Sequence, residues 1–257
     1  MTGRRGPHTD QDMNSQVAIV TGGTRGIGLA ISRALGEAGA SVIMVYRENE
    51  ETAELALSHM AGTDGTLYRA DVRNPNEMRK MVKTVGELYG PVNILVHSAF
   101  RSGRTPQKVH ELEVSAFMED IETNLTGAFI ASRACLPTMI AQKWGRIIFI
   151  GSLAMRGERG RVAYSVAKNG VVGLCKTIAQ EYARTGITAN VVSPGYIDAG
   201  AFVTLDDKIK AAAAKQVPQG RLGQAEEIAK AVCYFASEDS GYTTGQVLNV
   251  NGGVFTG

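Results

Sequence analysis

"VAIVTGGTRGIGLAISRALGEAGA", residues 17–40, is the stretch whose reading decides the fold. Val17–Val20 reads as a buried strand, a glycine-rich turn follows, and an amphipathic helix begins near Ile27. Gly22, Gly26 and Gly28 stand in a G-x-x-x-G-x-G pattern. Glycines at such a junction permit a tight turn, let the backbone approach a pyrophosphate, and let the helix pack against the sheet. The helix then offers free N–H groups and the positive end of its dipole to the phosphates. Glycine punctuates many strand–helix junctions, so the weight of this one comes from its place on the first strand of an alternating chain.

That alternation runs through the sequence. Strands are expected at Val17–Val20, Ser41–Tyr46, Thr66–Ala70, Asn93–Val96, Arg146–Ile150, Thr188–Val192 and Val247–Val250. Most are continuous runs rich in Val and Ile, as parallel strands covered on both faces require. Helices are expected at Ile27–Glu37, Glu50–Met60, Asn76–Tyr89, Ser115–Gln142, Ala163–Tyr182 and Ala225–Ser237. The implied class is α/β: a Rossmann-type, doubly wound parallel sheet of about seven strands with helices on both faces. No repeat or linker divides it, so residues 16–257 form one domain after a mobile tail, residues 1–15. That tail is charged and has no apolar core of a secretory signal. The segment 194–223 breaks the rhythm with "AAAAKQ" between turns, and reads as a substrate flap or a plain surface excursion.

Bulk properties exclude several function classes. The 257 residues carry a net charge of +2, with 44% hydrophobic and 20% charged residues, which leaves no basic footprint for nucleic acid. No apolar run reaches the roughly 20 residues that span a bilayer. Cys135, Cys175 and Cys233 are widely spaced, which argues against a disulfide framework or a zinc site and for a reduced, cytoplasmic setting.

The second strand ends in "VIMVYREN". A carboxylate there would hold the ribose hydroxyls of NAD. Tyr46 and Arg47 stand in its place, with Arg25 inside the glycine turn. Two cations at the ribose 2′ position suit the extra phosphate of NADP(H); the alternative is a pair of solvated arginines. Asp71 follows the third strand, placed to bond an adenine ring or to cap a helix.

"GSLAMRGERGRVAYSVAKNG" holds the catalytic candidates. Tyr164 and Lys168 are one helical turn apart, and Ser152 ends the fifth strand. A tyrosine near pKa ~10 shuttles protons poorly at neutral pH, and a neighbouring ammonium favours its phenolate. A Tyr-x-x-x-Lys pair alone says little.

Together the motifs resemble the short-chain dehydrogenase/reductase family over essentially Gln16–Gly257. The matching pieces are "TGGTRGIG", Asp71-Val72, "NLTGAF" from Asn124, Ser152, "YSVAK", "VVSPGYI" from Val191 and "TGQVLNVNGG", in family order. The pattern is most similar to beta-ketoacyl carrier-protein reductases and polyketide or secondary-metabolite ketoreductases. The resemblance implies that Tyr164 protonates a carbonyl oxygen, Ser152 positions it, and Lys168 holds the nicotinamide ribose and lowers the tyrosine pKa. Asn124 would hold a water. NADP(H) would be bound by Gly22, Thr24, Arg25, Gly26, Ile27, Gly28, Tyr46, Arg47, Asp71, Val72, Ser98, Ala99, Tyr164, Lys168, Pro194, Gly195 and Ile197. The substrate, a small or carrier-bound ketone of fatty-acid or polyketide type, would meet Phe100, Arg101, Ala154 and Phe202. The resemblance further implies a homotetramer, with a dimer as fallback, and no metal, membrane or nucleic-acid partner. An enoyl reductase would carry its tyrosine about seven residues before the lysine, where Arg161 stands. A catalytically silent NADP-sensing protein is disfavoured by the complete Ser152, Tyr164 and Lys168 set.

Three departures stand out. Ala199 replaces a usual Thr, Asn251 replaces a usual acid, and "HSAF", His97–Phe100, replaces Asn-Asn-Ala-Gly. His97 has no partner at metal-ligand spacing and is expected to make polar contacts with neighbouring strand and helix backbone. Phe100, with Arg101 and Arg104, is expected to shape a pocket mouth for an aromatic or anionic substrate portion.

Overall fold

The computed structural model describes residues 13–101 and 105–256. Seven strands form one parallel sheet: β1 (Val17–Thr21), β2 (Ser41–Tyr46), β3 (Gly65–Arg69), β4 (Ile94–His97), β5 (Gly145–Ile150), β6 (Ile187–Pro194) and β7 (Val247–Val250). Their order is β3-β2-β1-β4-β5-β6-β7. Strand order reverses at β1, which opens a crevice between the carboxyl ends of β1 and β4. The α-helices are α1 (Gly26–Glu37), α2 (Glu50–Ser58), α3 (Pro75–Leu88), α4 (Val114–Ile121), α5 (Gly127–Gln142), α6 (Val162–Tyr182), α7 (Asp207–Ala214) and α8 (Ala225–Ala236).

Alternate residues of each strand enter opposite cores. Val17, Ile19, Leu95, Ile147 and Val191 pack with α3, α5 and α6, whereas Ala18, Val20, Ile94, Ile148 and Val192 pack with α1 and α8. Covering on both faces explains why the strands read as unbroken apolar runs.

Four local expectations change. Met13 is buried and donates its N–H to the Ala38 carbonyl at 2.7 Å, so the packed chain begins before Gln16; residues 1–12 lie outside the described residues. The expected helix 115–142 is interrupted by a π turn, Glu122–Thr126, between α4 and α5. Gly127 follows it because a methyl there would lie 2.8 Å from Val72 Cγ2. Segment 194–223 contains α7, capped by the Asp206 carboxylate on the Lys208 N–H, and its ends are tied by a bridge between Ile197 and Gly223. Finally, Asn74 caps α3, accepting from the N–H groups of Asn76 and Glu77, which removes the capping role considered for Asp71.

Candidate active site

The glycine turn is built by close approach. Gly22 and Gly26 have φ of +65° and +52°, in the left-handed region that favours glycine. A methyl on Gly28 would sit 2.1 Å from the Gly22 carbonyl oxygen, and one on Gly22 would sit 2.9 Å from Ala99 Cα. Gly23, which the G-x-x-x-G-x-G reading passed over, is equally constrained, 2.8 Å from the Val20 oxygen. Arg25 occupies the N-cap of α1 and caps it with no side-chain bond, so the first N–H groups stay open to an anion beside Thr24 and Ile27.

The Gly22 N–H donates to the Val45 carbonyl, which sets Tyr46 and Arg47 beside this turn. A cleft of about 450 Å³ opens there, lined among others by Arg47, Tyr68, Arg69, Asp71 and Lys80. Sequence reading missed Arg69 and Lys80, which carry no motif. Arg47 pairs with Glu48 at 2.8 Å. The Asp71 carboxylate is engaged by Arg73, through its backbone N–H and its guanidinium at 2.6 Å, rather than left free for an adenine. The hydrogen bond from Arg73 holds that carboxyl below its usual range. Val72 is buried against Gly127.

Across the crevice, the Ser98 N–H donates to the Thr21 carbonyl and the Ala99 N–H to Thr21 Oγ1, both at 3.2 Å. His97 is buried, with Nδ1 3.0 Å from that hydroxyl; its partner is therefore a side chain, not the expected backbone. Its Nε2 has no hydrogen-bond partner among the described residues. Burial, and then the charge of Lys168, lower its pKa to about 3, so the ring is neutral at working pH. Phe100 is exposed, with the Arg25 guanidinium 5.9 Å from its ring centroid. Arg101 turns away to α4, bonding Glu119 at 2.5 Å and Asp120 at 3.3 Å, so its charge is already met and does not await an anionic substrate. Arg104 lies outside the described residues.

Asn124, fully buried in the π turn, explains the path of this loop. Its Oδ1 accepts from the Arg101 N–H at 3.2 Å, and its Nδ2 donates to the carbonyls of Arg101 at 3.0 Å and Asp120 at 2.9 Å. Both amide donors are thus spent on backbone, and only Oδ1 keeps capacity for a water.

Ser152, Tyr164 and Lys168 converge at the carboxyl end of β5. Ser152 leaves β5 extended, accepts from the Ala154 N–H at 3.1 Å, and lies close enough to Tyr164 to act on its phenol. Lys168 is buried one turn below; its Nζ lies 5.6 Å from the Tyr164 ring centroid and donates to the Ile150 carbonyl at 2.7 Å. Burial lowers its pKa to about 8. Burial also pushes the Tyr164 phenol up, opposed by the nearby Ser152 hydroxyl and the charge of Arg161. Among the charges that act on the phenol here, Arg161 is the one that opposes burial.

On the far side, Gly195 packs so tightly that a methyl would lie 2.6 Å from Asn251 Cα, and its N–H donates to the Val250 carbonyl beside Pro194. Asn251 closes the last turn, donating to the Phe255 carbonyl and accepting from the Gly253 N–H. The Ile197 carbonyl accepts from the Ala199 N–H. Phe202 meets Tyr196, a neighbour the sequence did not single out, in a tilted ring contact with centroids 6.1 Å apart, whereas Ala154 is buried. Segment 194–223 reaches the glycine turn: a methyl on Gly26 would lie 3.3 Å from the Gly200 backbone. Among the described residues, no group of three His, Cys, Asp or Glu residues is placed to hold a metal.

A glycine cradle at the switch point of a parallel sheet, facing a Ser–Tyr pair over a buried lysine, defines a dinucleotide-dependent oxidoreductase. The comparisons give the family. A family model described as Enoyl-(Acyl carrier protein) reductase matches residues 22–255. The 3-oxoacyl-(acyl-carrier-protein) reductase FabG of Haemophilus influenzae is 40% identical over 245 residues, covering 95% of this chain and 99% of that protein. The FabG of Escherichia coli is 37% identical, with the same coverage. A crystal structure of a variant actinorhodin polyketide ketoreductase with NADPH has a TM-score of 0.88 at 35% identity, covering 95% of this chain and 98% of that one. The chain belongs to the short-chain dehydrogenase/reductase family.

Proposed function

We propose that this chain is an NADPH-dependent reductase that converts a ketone of a ketoacyl or polyketide-like substrate to a secondary alcohol. The observation that carries the reading is Tyr164 brought beside Ser152 at the carboxyl end of β5, with the Lys168 amine buried beneath. Relatives named as 3-oxoacyl reductases, and a ketoreductase solved with NADPH, support it.

The cofactor, when bound, supplies hydride. The open N-terminus of α1 and the glycine cradle fit its pyrophosphate, and Arg25 would meet a 2′-phosphate, with Arg47, paired to Glu48, on its other side. Ser152 and Tyr164 orient and hydrogen-bond the carbonyl oxygen as negative charge develops on it. Tyr164 gives that oxygen its proton, and its raised pKa keeps the phenol protonated and able to do so. Lys168 holds positive charge below the pair, and Asn124 steadies the loop carrying Phe100 and Arg101. Double-bond reduction is less well served, because Arg161, seven residues before Lys168, offers no phenol and instead lies 4.8 Å from the Tyr164 ring centroid.

NADPH oxidation with an acetoacetyl thioester tests the reading. Wild type turns over, and Tyr164→Phe loses roughly 10²–10⁴-fold in kcat, the range of a lost general acid. Comparable activity in Tyr164→Phe would remove Tyr164 as the donor, and turnover of an enoyl thioester alone would replace the reaction.

The same reading includes a homotetramer, with a dimer as fallback. Apolar residues exposed on α4, α5 and α6, namely Val114, Met118, Phe129 and Val166, and Leu248 on β7 support it. A monomer by light scattering would overturn it. A cytoplasmic setting is supported by the three free, buried cysteines. Among the described residues, no helix is long and apolar enough to cross a membrane.

A further inference from the structure

We propose that Phe100 is a cofactor-specificity residue that acts through Arg25: its ring holds the guanidinium at the mouth of the dinucleotide crevice, where a 2′-phosphate is recognised and a bare 2′-hydroxyl is not. The inference rests on the NADPH reading above.

Arg25 is exposed on the glycine turn, and among the described residues no carboxylate pairs with it. The other arginines at this edge are engaged. Arg47 meets Glu48, Arg69 bonds the Arg47 carbonyl, Arg73 meets Asp71, and Arg101 meets Glu119 and Asp120. Arg25 is instead steadied by a ring, 5.9 Å from guanidinium carbon to centroid, within cation–π range.

The difference is chemical. A carboxylate that orients an arginine also neutralises it and takes its donors. An aromatic face orients the guanidinium while leaving its charge uncancelled and its edge N–H groups free for a phosphate. Phe100 can serve as a fixed platform because both its neighbours are anchored. The Ala99 backbone abuts Gly22, and the Asn124 amide clasps the Arg101 N–H and carbonyl. Topology places Arg25 in the middle, with Tyr46 and Arg47 leaving β2 on one side and Phe100 leaving β4 on the other. Preorganising a long, exposed side chain lessens the entropy lost when it closes on its ligand.

Binding of NADPH and of NADH, followed by fluorescence titration without substrate, tests this in wild type, Phe100→Leu, Phe100→Tyr, Arg25→Ala and the Arg25→Ala/Phe100→Leu double variant. Phe100→Leu should weaken NADPH about 2–5-fold, the size of an exposed cation–π contact, and leave NADH unchanged. Phe100→Tyr should restore wild-type binding, and in the Arg25→Ala background Phe100→Leu should have no further effect. Equal loss for both cofactors, or a Phe100→Leu effect that persists without Arg25, overturns the inference alone. A wild type that binds NADH as tightly as NADPH overturns the cofactor reading and this inference with it.

Discussion

The turn after β1 and the loop after β4 face each other across one crevice, yet they hold their shapes by different means. The turn is fixed by backbone sterics: Gly22, Gly23 and Gly28 stand where a methyl would strike main-chain atoms. The loop is fixed by side chains reaching in from other elements, Asn124 from the π turn, Glu119 and Asp120 from α4, and Thr21 from β1. A backbone constraint writes itself into the residues that obey it. A side-chain tie is written far away along the chain.

Substitutions should separate the two by size of effect. Gly28→Ala drives a methyl to 2.1 Å from a carbonyl oxygen, so it should cost at least roughly 3 kcal/mol, at the upper end of overpacking, with a large fall in Tm and loss of NADPH binding. A melting curve close to wild type would show that the turn relaxes and would erase the contrast. Asn124→Ala leaves the Arg101 N–H and carbonyl without their partner, and should cost about 1–3 kcal/mol in denaturant unfolding while disordering Phe100. Arg101→Ala removes a half-exposed ion pair and should change stability by under about 1 kcal/mol. A cost equal to that of Asn124→Ala would move the loop's anchor from the amide to the ion pair.

The smallest effect is expected at His97. Its imidazole stays neutral above its pKa of about 3, so His97→Asn removes no charge. The Lys168 amine, with its pKa lowered by burial to about 8, loses its proton as pH rises through that value. Ketone reduction should therefore decline on the alkaline side with a midpoint near 8 in both wild type and His97→Asn. A midpoint displaced in His97→Asn would make the imidazole an active neighbour of Lys168 and bring the loop into the proton-transfer machinery.

All seven strands were legible because apolar runs of Val and Ile between turn signals have few other uses. The helix at 115–142 looked continuous because a π turn preserves the apolar pattern while shifting the register by one residue. Helix α7 stayed hidden in its alanine run, which has propensity but little apolar face, and Met13 was hidden by the charged residues before it. The Ser152, Tyr164 and Lys168 constellation was readable only as a set, since each residue alone has common structural uses. The partners of Arg101 and Asp71 were not legible for one reason: the counter-charge that meets a charged residue is brought to it by folding.

By itself, then, the sequence determined the sheet and the glycine cradle, because backbone sterics and hydrophobic period are local properties of the chain, and it pointed to the reaction only through its motifs taken as a set. Only the tertiary structure decided which counter-charges meet each cation, that burial pushes the Tyr164 phenol up, and that Phe100 stands over Arg25. Those outcomes depend on desolvation and on contacts between residues distant along the chain, which exist only once the chain has folded.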